Sequence, residues 1–119
     1  AASGISIARG RWSEAERLAS RFTETACQKS DRLWVLKYLL KDRQGSVTRT
    51  EGLLRTEPEH EMTYLLRAAS LELTRDHTGA LKALEEGRQK ARAVILLDTV
   101  TWSASPVLSK PRTPSASTK

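Results

Sequence analysis

MTYLLRAASLELTRDHTGALKALEEG, residues 62–87, is the stretch whose reading decides the fold. At helical spacing Met62, Leu65, Leu66, Ala69 and Leu73 form one apolar stripe, and Ala80, Leu81 and Leu84 begin a second. Both follow the three-and-four spacing of a helix with one buried face, not the alternation of a strand. TRDHTG, residues 74–79, separates them. It is polar and too short for anything except a tight turn, so the two helices must run antiparallel. Ala68, Ala69, Ala80 and Ala83 fall where such helices would touch. The stretch predicts an αα-hairpin, and the rest of the chain reads as variations on it.

Towards the C-terminus the second helix continues through Arg88, Lys90 and Arg92, with Ala91, Val94, Ile95 and Leu97 extending its apolar face. The periodicity stops near Thr101. WSASPVLSKPRTPSASTK, residues 102–119, is rich in Ser, Thr and Pro and cannot bury enough surface to order itself. The expectation is a folded domain over 1–100 and a disordered tail over 101–119. Ser105-Pro106 and Thr113-Pro114, beside Lys110 and Arg112, have the form of proline-directed phosphorylation sites, the alternative being a plain basic tail. Phosphates on Ser105 and Thr113 would cancel the tail's positive charge.

Towards the N-terminus the pattern is less regular. Residues 1–8 are small and apolar, as at the end of a helix, and Arg9-Gly10-Arg11-Trp12 breaks them from a helix over 13–29. Ser13 and Glu16 are spaced as a capping box, and Ala15, Leu18, Ala19, Phe22 and Ala26 form the apolar stripe that follows. Ser30 and Asp31 cap the next helix, whose Leu33, Trp34, Leu36, Leu39 and Leu40 make it apolar on more than one side. Residues 41–45 break it. Residues 46–55 give a weaker helix, in which Gly52 costs about 1 kcal/mol of propensity against Ala. Thr56-Glu57-Pro58-Glu59 then leads into the hairpin, with Glu59 and Glu61 at the positive end of the helix dipole.

The totals suit an all-α fold. With 39% apolar residues, one Phe, two Tyr and three Trp in 119 residues, the core must be aliphatic and Ala-rich, as close-packed helices allow. The single Cys27 cannot form an internal disulfide, so a reducing, intracellular compartment, cytoplasmic or nuclear, is the default expectation. No apolar run is long enough to span a membrane. There is no secretory leader and no initiating Met, which suggests processing or an excised fragment. The net charge is +6, with three of the 20 Lys and Arg and none of the 14 acids in residues 100–119, leaving +3 on the body. Mixed signs at that level describe an ordinary solvated surface rather than a nucleic-acid stripe.

No metal-ligand spacing surrounds His60 or His77, both expected to be solvated, and Cys27 has no nearby His. Phosphate-loop, nucleophile-elbow and zinc-protease motifs are all missing from the chain. An enzyme is therefore the weakest class, and no cofactor or catalytic residue is predicted. Trp34 and Tyr38 lie one turn apart. Packing is their default role, with a binding hot spot if they are exposed.

Aligning the breaks reveals an internal repeat: Ala15, Ser46 and Ala80 occupy the same place at the start of successive second helices. Hairpins recurring at about this period mark α-helical solenoids. Gly10-Arg11-Trp12-Ser13-Glu14-Ala15 resembles the interhelical turn of the tetratricopeptide repeat (TPR) family, and Arg75-Asp76-His77-Thr78-Gly79-Ala80 repeats it without the Gly. Leu84 and Gly87 fall at that family's large and small packing positions, and Pro58 at the end of a repeat. Ser46, Thr50 and Trp34 depart from the pattern. The resemblance covers roughly residues 1–92, and an irregular helical bundle is the alternative.

The resemblance implies a TPR-like antiparallel hairpin array with a groove that holds a peptide or partner helix. Carried over by position, the groove residues are Asp31, Val35, Tyr38 and Leu39, then Met62, Leu65, Ala69 and Glu72. A carboxylate clamp is not implied, since Asp31, Val35 and Met62 replace the basic and amide residues it needs. The expected function is a non-enzymatic adaptor or scaffold module with a protein or peptide partner. It would sit within a larger assembly or self-associate through its repeat ends. A basic helical module on RNA is the competing reading, carried by Arg9, Arg11, Arg88, Lys90, Arg92 and the tail.

Overall fold

The computed structural model describes residues 2–100, and every regular element among them is a helix. Eight follow in order: α1 (Ala2–Ala8), α2 (Trp12–Ala19), α3 (Glu24–Lys29), α4 (Asp31–Tyr38), α5 (Arg43–Thr56), α6 (Glu61–Leu73), α7 (His77–Lys90) and α8 (Ile95–Asp98). The residues 101–119, with Ser105 and Thr113, lie outside the described part.

The hairpin of 62–87 forms as its pattern predicts: α6 and α7 make the most extensive helix–helix contact among the described residues. Its turn is a tight one. Arg75 takes φ 70°, its amide donates to Glu72 O at 3.0 Å, and the Asp76 amide donates to Leu71 O at 2.8 Å. This is the Schellman arrangement, in which a left-handed residue closes the helix and satisfies its last carbonyls. The α1–α2 turn is built identically, with Gly10 at φ 75°, its amide donating to Ile7 O and that of Arg11 to Ser6 O. Gly10 and Arg75 are the residues that the sequence alignment pairs.

α5 and α7 also resemble each other in length and capping. α5 and α7 each span 14 residues, and their first residues, Arg43 and His77, are 34 apart. Each is capped by an Asp, Asp42 or Asp76, whose Oδ1 accepts from the amide of Gly45 or Gly79 at 2.9 Å. Such caps satisfy an amide that the helix leaves open. Ala15, Ser46 and Ala80 each occupy the fourth position of their helix, and all are buried.

α6 is the centre of the packing. It touches α1, α4, α5, α7 and α8, and within it only Glu61 and Arg67 are not buried. Two of its hydroxyls find backbone partners at the entry turn: Thr63 donates to Glu57 O at 2.8 Å and Tyr64 to Pro58 O at 2.6 Å.

Four local expectations change. The helix predicted over 13–29 is two helices: α2 ends at Ala19, and α3 starts behind Thr23, whose hydroxyl accepts from the Ala26 amide at 3.2 Å. Ser20 and Thr23 divert backbone bonding at the break, and Phe22 between them is exposed. The Ser13–Glu16 capping box does not form, because α2 begins one residue earlier, at Trp12, with no side-chain cap. The helix predicted from Ser46 begins at Arg43, since Asp42 supplies the cap. α7 stops at Lys90 instead of running on to Leu97. The chain turns back across the start of α6, where the Arg92 amide donates to Glu59 O at 3.0 Å and the Leu96 amide to Glu61 Oε2 at 2.9 Å. α8 then seats Leu97 fully buried, so only Ile95 of that apolar end is left strongly exposed.

Candidate functional site on helix α4

α4 places its residues on two sides. Ser30 caps it by accepting from the Leu33 amide at 3.3 Å. From there Val35, Leu36 and Leu39 turn inward and are buried, while Asp31, Trp34, Lys37 and Tyr38 line the outer side and are only partly covered. The eight groove candidates therefore divide. Asp31 and Tyr38 reach the surface. Val35, Leu39, Leu65, Ala69 and Glu72 have no exposed area, and Met62 is nearly closed.

The strip expected to lie open to a partner is mostly core, for two reasons. Val35 and Tyr38 are about 60° apart around a helix of 3.6 residues per turn, and the edge of the core runs between them. In α6, the face that an open array would leave bare is covered by α1 and α8, which touch α6 and each other. Gly4 marks how close this approach is: a Cβ there would stand 3.1 Å from Met62 Sδ and 3.3 Å from Leu96 Cδ1. Glu72 is enclosed, and its Oε1 lies 3.0 Å from Nδ1 of His77. His77, expected to be solvated, thus holds a buried carboxylate.

What remains open on α4 is an aromatic pair among charges. The rings of Trp34 and Tyr38 have centroids 4.9 Å apart at 36°. The Arg49 guanidinium lies over Trp34, 4.5 Å from its centroid, within the range where the ring face attracts a cation. Lys37 and Lys41 approach the Tyr38 ring at 5.7 and 5.8 Å. Two carboxylates fix the ends. Arg49 donates to Asp31 Oδ1 at 3.0 Å, and the Tyr38 hydroxyl donates to both oxygens of Glu24, at 2.6 and 2.7 Å.

Sequence reasoning singled out Trp34, Tyr38 and Asp31 but not the charges around them. Lys37 and Lys41 were readable, standing one residue before and three after Tyr38. Arg49 and Glu24 arrive from α5 and α3, and only tertiary packing brings them in.

The phenol–carboxylate bond shifts both partners. The Tyr38 hydroxyl stabilises ionised Glu24 and holds its pKa below the ordinary value of 4.5, with Lys37 adding to the effect. The same bond raises the Tyr38 pKa above 10.0. A carboxyl whose pKa is depressed on folding contributes stability above its unfolded pKa, lost as the pH falls through the folded one. A phenol whose pKa is raised contributes below its unfolded pKa, lost as the pH rises through the folded one. Tyr38→Phe should therefore move the Glu24 titration, followed by carboxyl NMR, upward towards its ordinary value. An unmoved Glu24 would mean that the bond is not kept in solution.

No family model, curated protein or solved structure matches this chain. Among the described residues no three His, Cys, Asp or Glu side chains gather as a metal site would. No helix among them is long and apolar enough to cross a membrane.

Proposed function

We propose that this chain is a TPR-like interaction module whose α4 outer face docks a segment of a partner protein. The observation that carries the reading is the partly open Trp34–Tyr38 pair with Arg49, Lys37 and Lys41 around it. Tyr, Trp and Arg are the residues that most often dominate binding energy at protein interfaces. The chemistry suits a segment with an aromatic or branched apolar side chain flanked by acids. Its apolar group would lie on the ring pair, and its carboxylates would face the Lys41 ammonium and the Arg49 guanidinium. The TPR-like part of the reading is supported by the 34-residue register of α5 and α7 and by the matched turns at Gly10 and Arg75. α1 and α8 depart from an open solenoid by covering α6, which moves the docking face out of the groove and onto α4.

RNA is the second reading, because stacked aromatics with nearby cations also suit single strands. Asp31 and Glu24 weigh against it by placing fixed negative charge at both ends of the strip. The test is a titration of an acidic peptide with a central Trp, and separately of oligouridylate, followed through the Trp34 indole N–H. Read through the backbone amides of α4 in each variant, peptide binding should weaken at least roughly tenfold in Trp34→Ala and Tyr38→Ala, since a hot-spot truncation costs about 2 kcal/mol or more, with helicity unchanged. Affinity unchanged in both variants would remove the α4 face from the proposal. Saturation by the oligonucleotide alone, with a steep salt dependence, would favour the RNA reading.

A further inference from the structure

We propose that a second site, separate from the α4 face, binds a small organic anion built on a flat apolar body. The site is a cavity of about 540 Å³ where the α1–α2 turn meets the ends of α4 and α6 and the start of α5. That volume lies within the range of ordinary small-molecule sites, roughly 300–1,000 Å³. It is too small for a folded partner.

The lining has two chemistries. Trp12, Leu40 and Leu73 supply an apolar wall, and Trp12 and Leu73 are almost wholly withdrawn from solvent. Arg11 and Arg43 supply the charge, from the turn before α2 and from the first position of α5. Gly10 at positive φ closes the turn that brings Arg11 to the cavity. Among the described residues the Arg43 side chain makes no ion pair or hydrogen bond. Arg11 has only a loose, solvent-exposed pair with Glu14 at 3.5 Å, and Glu14 is shared with Arg17 at 3.9 Å. The lining thus carries two guanidiniums and one carboxylate, and that carboxylate is shared with Arg17.

Neither half of this lining explains a ligand alone. A neutral apolar molecule would cover the wall and leave Arg43 without a counter-charge. A bare inorganic anion would meet the arginines and leave most of the cavity beside Leu40 unfilled. An aromatic ring bearing a sulfonate, carboxylate or phosphate satisfies both, because guanidinium offers paired donors to such oxyanions. The ring would occupy the cavity beside Leu40, at the edge that Trp12 and Leu73 close, while the anionic group reaches the arginines.

The test is a ¹⁵N NMR titration of the full chain with 2-naphthalenesulfonate, with sodium sulfate and 2-naphthalenemethanol as the charge-only and ring-only arms. The expected result is saturable shifts of the amides of residues 10–14, Leu40 and Leu73 with the sulfonate, and binding at least tenfold weaker for each single-feature probe. Arg43→Ala should weaken the sulfonate at least tenfold and leave the spectrum dispersed. Arg43→Gln serves the same comparison if the alanine variant folds poorly. No saturable shift at these amides up to millimolar ligand, or equal affinity in the Arg43 variants, would overturn the proposal. Sulfate binding as tightly as the naphthalene compound would also overturn it, by showing that the apolar wall takes no part.

Discussion

Leu65→Ala is expected to destabilise the domain by about 3 kcal/mol, the middle of the usual cost of removing a fully buried leucine side chain. Leu65 has no exposed area and stands in α6, which touches five other helices. Truncation there leaves a cavity in the central helix, and close-packed surroundings relax into such a space only in part. For a folded part of about 100 residues each kcal/mol is worth about 4–8 °C, so the melting temperature should fall by roughly 15 °C. Urea unfolding should show a lower midpoint with an unchanged slope, since the surface exposed on unfolding is nearly the same. The result separates two pictures of α6. A groove-lining Leu65 would lose partner binding and keep its stability. A loss below about 0.5 kcal/mol, within the usual range for surface substitutions, would return Leu65 to an open face.

Gly87→Ala is expected to cost about 2 kcal/mol, against the direction that helix propensity alone gives. In the middle of an isolated helix this change gains about 1 kcal/mol. Here the added Cβ would stand 2.6 Å from Tyr64 Cβ, 2.8 Å from Leu97 Cδ1 and 2.9 Å from Tyr64 Cγ. Leu97 can turn its methyl away, but Tyr64 Cβ is tied to the α6 backbone and cannot. The helices must separate, and overpacking of this kind typically costs about 1–3 kcal/mol. The displacement would also strain the Tyr64 hydroxyl bond to Pro58 O, held at 2.6 Å. Thermal unfolding of Gly87→Ala is the check. A stabilised variant would show that α6 and α7 are less closely packed than these distances require.

These two positions show how far the sequence could be read. Gly87 was legible only through the family resemblance, which gave it a small packing position; that Tyr64 is what packs there came from the tertiary structure. Leu65 was legible as apolar and helical, but its exposure was not. Periodicity states that a residue lies on the apolar side of its helix. It does not state whether that side meets a partner or another part of the same chain. The assignment of Leu65, Ala69 and Glu72 to an open groove failed on that point, because α1 comes from more than 50 residues away to cover α6.

The sequence by itself determined the local structure wherever one residue type has a strong backbone preference. It placed the α6–α7 turn through its polar break and the α4 start through Ser30. Those features depend on contacts within a few residues, which spacing encodes directly. Tertiary structure alone decided that α7 stops at Lys90, because the gain lies in burying Leu97 beside Gly87 and tying Glu61 to the Leu96 amide. It alone placed Arg49 over Trp34, Glu24 on the Tyr38 hydroxyl and Arg43 beside Arg11 at one cavity. Each of these joins residues from separate helices, and its free energy depends on a chain path that no local pattern records.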